Sequence, residues 1–173
     1  DTNMIAFTGS VPTGQAIGET CGRMLKRSLI ETSGNDPFVI MPSADLDITA
    51  RAAAFSAFMN CGQICVSAER FYVHEDIHDE FVNKLIENAK GIRIGNGLGK
   101  VDMGPMVSEK ERARYETVLE NAIGQGANVM LGGRRPSQFN QGWFVEPTVL
   151  SDCHQSMDIF NNESFGPVAP ICK

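Results

Sequence analysis

Met4-Ile5-Ala6-Phe7-Thr8-Gly9-Ser10-Val11-Pro12-Thr13-Gly14 is the stretch on which the fold turns. The apolar run at 4–7 reads as a strand and residues 8–14 as a tight turn. A helix follows, with Ile17, Cys21 and Met24 or Leu25 on its apolar face. Leu29 and Ile30 then form a second short strand that stops at Glu31. Strand, turn, helix and strand in that order make the repeating unit of an α/β sheet.

The same alternation runs through the rest of the chain. Residues 38–41 read as a third strand, and residues 45–60 as an Ala-rich helix with Asp45 or Asp47 at its positive end and Gly62 beyond it. Residues 71–73 are extended. Asp76 is placed to cap a helix carrying Ile77, Phe81, Val82, Leu85 and Ala89. Residues 92–94 are expected to be a strand, followed by a Gly-rich loop. Ser108 and Glu111 have the spacing of a capping box for a helix with Tyr115, Val118, Leu119, Ala122 and Ile123 on one face, stopped by Gly124-Gln125-Gly126. Residues 129–131 and 144–150 are extended, the second interrupted by Pro147. A seam between domains is expected near residues 31–37.

At 173 residues, with 42% hydrophobic and 21% charged residues, the composition is that of a packed globular domain and excludes a disordered tail, a collagen repeat or a coiled coil. No run approaches the ~18 apolar residues of a membrane-spanning helix. The net charge of −6, without a Lys/Arg stripe, argues against nucleic acid or an anionic membrane as partner. Five irregularly spaced cysteines (Cys21, Cys61, Cys65, Cys153 and Cys172) fit a reducing cytoplasm better than a disulfide framework. Both ends, at Asp1 and at Ala169-Pro170-Ile171-Cys172-Lys173, lie next to apolar segments, so the chain is expected to be a piece of a longer protein.

Three places carry candidate chemistry. The turn with Gly9, Ser10 and Gly14 can present backbone N–H groups to a phosphate, although an ordinary strand-to-helix turn has the same composition. Cys65 follows the helix end at Gly62, in a loop able to offer sulfur to a cleft, whereas any other single thiol reads as a buried one. Glu31 ends a strand, where α/β proteins place ligand sites, or is a solvated strand end. The cluster Gly95-Asn96-Gly97-Leu98-Gly99-Lys100 has no Ser or Thr after its Lys and reads as a connection. Cys61, Cys65, His74 and His78 fall on different elements, and no metal is expected.

Taken together, Phe7-Thr8-Gly9-Ser10, Glu31 with Gly34, Asn60-Cys61-Gly62-Gln63-Ile64-Cys65, Glu146-Pro147-Thr148 and Glu163-Ser164-Phe165-Gly166-Pro167-Val168 resemble the aldehyde dehydrogenase superfamily, in that family's order and over essentially the whole chain. The resemblance implies a three-layer α/β/α fold with a mostly parallel sheet. It implies the C-terminal part of a cofactor-binding domain at 1–34 and a catalytic domain, incomplete at its C-terminus, at 35–173.

The resemblance also implies NAD or NADP as cofactor and oxidation of a small-molecule aldehyde to a carboxylic acid through a thiohemiacetal and a thioester. Cys65 matches the nucleophile and Glu31 the general base; Gly9, Ser10 and Gly14 match the pyrophosphate turn, Glu163 the ribose contact and Phe165 the residue beside the nicotinamide. The resemblance implies that the full-length protein is a homodimer or homotetramer. A CoA-acylating relative generally lacks the Glu matched by Glu31, and a non-catalytic relative keeping the fold is the remaining alternative. The implied full protein is longer, so the isolated chain is expected to be nearly inactive. Where the family has Glu-Leu-Gly-Gly this chain has Glu31-Thr32-Ser33-Gly34, and the Ser33 side chain is expected to restrict the swing of Glu31. Asn35-Asp36-Pro37-Phe38 is similar to the corresponding stretch of members acting on semialdehydes.

Overall fold

The computed structural model describes residues 2–173; Asp1, the first residue of the 1–34 segment, lies outside them. The chain divides into two compact units, Asp1–Gly34 and Asn35–Lys173.

The first unit is a single βαβ crossover. Strand β1 (Met4–Thr8) runs parallel to β2 (Arg27–Glu31), with Met4 opposite Arg27 and Thr8 opposite Glu31. Helix α1 (Val11–Arg23) joins them and begins inside the stretch expected to be turn. Pro12 explains this: in the first helical turn its fixed φ is already suitable and its missing N–H would have had no partner. Cys21 is buried, while Met24 and Leu25 fall beyond the helix and are exposed rather than on its apolar face. α1 lies so close to β2 that a Cβ on Gly14 would stand 2.8 Å from Thr32 Cγ2 and 2.9 Å from Ile30 Cγ2.

The second unit is built on five strands in the order β3-β4-β7-β6-β5: β3 (Asp36–Ile40), β4 (Ala68–Val73), β7 (Val168–Cys172), β6 (Thr148–Cys153) and β5 (Asn128–Leu131). All neighbours are parallel except β5 against β6, so the sheet is mostly parallel, as expected. Strands β6 and β7 are buried almost throughout, the mark of sheet faces covered on both sides. Helix α2 (Leu46–Phe58) connects β3 to β4 and packs on α3 (His78–Lys90). Asp45 caps α2 by accepting from the N–H groups of Asp47 and Ile48, at 3.0 and 3.1 Å. On the Tyr72 face, Tyr72 meets Phe160 edge to face at 5.6 Å, and the short turn carrying Phe160 packs on α4 (Glu109–Gly124).

Local departures from the sequence expectations have local causes. Residues 92–94 do not form a strand; Ile94 makes one isolated bridge, to Met103. Asp76 caps nothing: it sits inside a 3-10 turn, Glu75–Ile77, and its N–H donates to His74 Nδ1. The capping box is half formed. Ser108 Oγ accepts from the Glu111 N–H at 3.2 Å, but the Glu111 carboxylate turns to Arg114 at 3.0 Å instead of returning to Ser108. Among the described residues no helix is long and apolar enough to cross a membrane.

Candidate active site

α2 ends at Phe58, and the chain makes a tight turn over Met59–Gly62. Three consecutive residues there are left-handed: Asn60 at φ 51, Cys61 at φ 61 and Gly62 at φ 67. Such a conformation costs a non-glycine residue roughly 1–2 kcal/mol, so the surroundings must hold it. Asn tolerates this region best, and the Asn60 amide donates to the Gln63 carbonyl at 3.1 Å. Gln63 donates back to the Asn60 carbonyl from both its N–H and its side-chain amide, at 3.2 and 3.1 Å. The Gln63 Oε1 then accepts from the Val107 N–H at 2.9 Å, tying the turn to the loop before α4.

Cys65 follows in the next turn, where the Ser67 N–H donates to the Ile64 carbonyl at 3.0 Å. Its side chain is half-buried, unlike Cys61, Cys21 and Cys153, which are buried. Burial pushes the Cys61 and Cys153 thiols up to about 12, which keeps both protonated and poorly nucleophilic. Immediately beyond Cys65, the Ala68 N–H donates to Ser56 Oγ at 3.1 Å and fixes the start of β4 to α2.

The loop of residues 163–167 lies against this turn. A Cβ on Gly62 would be 2.2 Å from the Gly166 carbonyl oxygen, so the two backbones touch and only glycine fits. Gly166 is pressed from its other side by the Tyr115 ring, where a Cβ would lie 2.1 Å from Cδ2. Tyr115 Oη donates to the Pro167 carbonyl at 3.1 Å. Arg114 donates to the Ser164 carbonyl at 2.8 Å and reaches the Glu163 and Phe165 carbonyls at 3.4 and 3.5 Å.

On the N–H side, Glu69 of β4 accepts from Ser164 at 2.7 Å through Oε2 and from Phe165 at 2.8 Å through Oε1. Phe165 is itself left-handed, at φ 45. The structure thus places Cys65, Glu163 and Phe165 on two loops of one unit whose backbones are in contact.

Gly9, Ser10, Gly14 and Glu31 all belong to the first unit. The Gly9 N–H donates to the Glu31 carbonyl at 3.1 Å, which closes the turn onto the end of β2. Ser10 takes the capping position of α1 in extended conformation, but its Oγ pairs with Thr13 Oγ1 at 3.0 Å rather than with a helix N–H. No acidic residue stands in the first turn of α1, so its N-terminal N–H groups and dipole are left to favour an anion. Ser10 and Glu31 are exposed, and Gly14 is buried against Ile30 and Thr32, giving it a packing role as well.

Three of the four thiols and imidazoles weighed as metal ligands have contacts of their own: Cys61 Sγ lies 3.6 Å from Met106 Sδ, His74 Nδ1 accepts from the Asp76 N–H, and His78 Nδ1 lies 2.7 Å from Asp79 Oδ1. Glu69, Arg114 and Tyr115 were not singled out from the sequence for a functional role. The signal for Glu69 was the alternation Glu69, Phe71, Val73, which puts a carboxylate on a buried strand face.

A family model described as the aldehyde dehydrogenase family matches residues 1–173. The chain is 39% identical over 175 residues to the 3,6-anhydro-alpha-L-galactose dehydrogenase of Vibrio sp. (strain EJY3), covering 99% of this chain and 36% of that protein. It is 41% identical over 166 residues to the NADP(+) succinate-semialdehyde dehydrogenase of Mycobacterium leprae (strain TN), covering 95% of this chain and 36% of that protein. A solved betaine aldehyde dehydrogenase from Staphylococcus aureus, in complex with NAD+, superposes with a TM-score of 0.94 at 32% identity, covering 98% of this chain and 34% of that one. The chain belongs to the aldehyde dehydrogenase family. It spans about 36% of the length of the two relatives named first.

Proposed function

We propose that this chain is part of an enzyme that oxidises an aldehyde to a carboxylic acid with NAD+ or NADP+. In this reading the Cys65 sulfur, as thiolate, adds to the aldehyde carbon and gives a thiohemiacetal. The oxyanion accepts a hydrogen bond from the Cys65 N–H. Loss of hydride from that carbon leaves a thioester on Cys65. Glu31 then takes a proton from water, which attacks the thioester, releases the acid and returns the thiol. One aldehyde, one oxidised cofactor and one water become one acid, one reduced cofactor and a proton.

The cofactor's contribution is to accept the hydride. Gly9, Ser10 and Gly14 at the unopposed N-terminus of α1 are the residues that would hold its pyrophosphate, Glu163 its ribose and Phe165 the edge of its nicotinamide. The first unit is then the end of a cofactor-binding domain, and the second is the larger part of a catalytic domain.

The observation that carries this reading is the presentation of Cys65: a half-buried thiol directly after a turn locked by Asn60 and Gln63, whose backbone touches the loop bearing Glu163 and Phe165. We place the full-length protein in the cytoplasm as a homodimer or homotetramer, and expect little turnover from the 173 residues alone.

The test is a panel of aldehydes, including a semialdehyde and an aromatic aldehyde, offered to the full-length enzyme with each cofactor. A mass increase of one acyl group on the Cys65 peptide in quenched reactions is expected, and Cys65→Ala should abolish both that adduct and turnover. Turnover that survives Cys65→Ala overturns the reading.

A further inference from the structure

Glu69 has no part in the chemistry above, yet among the described residues it is the one buried carboxylate, 2% exposed and on a strand face in line with Phe71 and Val73. Burying a carboxylate is costly unless its oxygens are satisfied, and here both are. Oε2 accepts from the Ser164 N–H and Oε1 from the Phe165 N–H, two successive backbone donors on one acid. A serine, an amide or an apolar residue in β4 would not supply two acceptors at that spacing.

The backbone so gripped is strained, since Phe165 is a bulky residue at φ 45. The same segment is held on its carbonyl side by Arg114. Glu69 also stands four residues after Cys65 in sequence, so it ties the thiol's turn to the facing loop.

We propose that Glu69 is a positioning residue of the cofactor site, whose carboxylate holds the backbone that presents Glu163 and Phe165. The proposal rests on reading those two residues as cofactor contacts. Two charged groups meet this carboxylate or the segment it holds: Glu163 on the loop, which repels it, and Arg114 from α4, which acts through the loop's carbonyls. Burial, with the Glu163 charge as a lesser cause, pushes the Glu69 carboxyl up to about 7 against the pull of the two N–H donors. The ionised acid accepts from both donors; the protonated acid gives up acceptor capacity, so the loop loosens as pH falls through about 7.

The experiment is equilibrium binding of the preferred reduced cofactor to the full-length enzyme, followed by its fluorescence between about pH 6 and pH 8. Affinity in the parent should weaken as pH falls. Glu69→Gln, which turns an amide donor against an N–H donor, should weaken binding on the order of tenfold and abolish the pH dependence. Glu69→Asp should keep the pH dependence, and the aldehyde KM should stay near that of the parent in both variants.

Parent-like affinity and an unchanged pH profile in Glu69→Gln, with Glu163→Gln binding weakly, would overturn the role of Glu69 and leave the cofactor reading intact. Parent-like binding in Glu163→Gln would instead remove the reading of the loop, and the role of Glu69 with it. If Glu69→Gln does not fold, the parent profile decides, and a flat one overturns the proposal.

Discussion

Gly62→Ala is the substitution whose consequence can be worked out most directly from the structure. Two costs compete. The first is conformational: at φ 67 an alanine pays roughly 1–2 kcal/mol for the left-handed region. Asn60 and Cys61 already sustain that conformation next door, so this cost alone does not break the turn. The second is steric, and it dominates. The added Cβ would lie 2.2 Å from the Gly166 carbonyl oxygen and 2.4 Å from its carbon, where ordinary contact begins at 3.4 Å. Both obstacles are backbone, and Gly166 cannot retreat because the Tyr115 ring is packed behind it. The turn preceding Cys65 and the 163–167 loop must therefore part by about 1 Å, a displacement that costs roughly 100-fold when it falls on catalytic groups. In the full-length enzyme kcat/KM should drop by about that factor, and the apparent Tm should fall by more than the ~1–2 °C that the conformational cost alone would give in a protein of that length. Gly97→Ala is the control, because nothing lies within 4 Å of its would-be Cβ. Activity within twofold of the parent in Gly62→Ala, at an unchanged Tm, would show that the approach of the two backbones does not place Cys65.

Limited iodoacetamide treatment followed by peptide mapping should label Cys65 first and Cys61 and Cys153 last, because the latter two are buried with thiols pushed up to about 12; earlier labelling of Cys153 would contradict the assignment. Ser108→Ala removes the side-chain acceptor of the Glu111 N–H at the start of α4 and should cost about 1 kcal/mol, read as a lower urea midpoint at unchanged slope. Stability should also depend on pH through Glu69. Its folded pKa of about 7 exceeds the ordinary 4.5, so its contribution is fully present below about 4.5 and is lost as pH rises through about 7. The urea midpoint of Glu69→Gln should accordingly gain on that of the parent between pH 5 and 8, by the equivalent of about 1–3 kcal/mol, and a constant difference across that range would refute the shift.

The elements legible in the sequence were those whose pattern is local. The run at 4–7, the glycines after it and Leu29-Ile30 define β1, α1 and β2 to within a few residues. Asp45 before an Ala-rich stretch, and Ser108 before Tyr115 and Leu119, mark real helix starts. Reading failed where long-range packing outweighed local preference. Residues 92–94 have strand composition but no neighbouring strand beyond one bridge, and isolated extended segments do not hold themselves. Met24 and Leu25 continue an apolar period, but the chain has already left the helix, with Leu25 at φ 52. Placing the start of β4 at Phe71 rather than Ala68 hid Glu69, because only membership of the strand reveals that it shares a face with Phe71 and Val73.

The motif residues were legible for a further reason that the fold makes plain. Asn60, Gly62, Gln63 and Gly166 each answer a geometric demand that few other side chains meet: a left-handed backbone, a backbone-to-backbone contact, a bridge to the Val107 N–H and a flat neighbour for Tyr115. Cys65 answers no such demand. Its position follows from theirs, and its side chain is left half-buried where Cys61 beside it is buried. Glu69 shows the converse. A carboxylate can be buried in a sheet when two backbone donors need it, so a charge in a strand is best read by asking which N–H groups it completes.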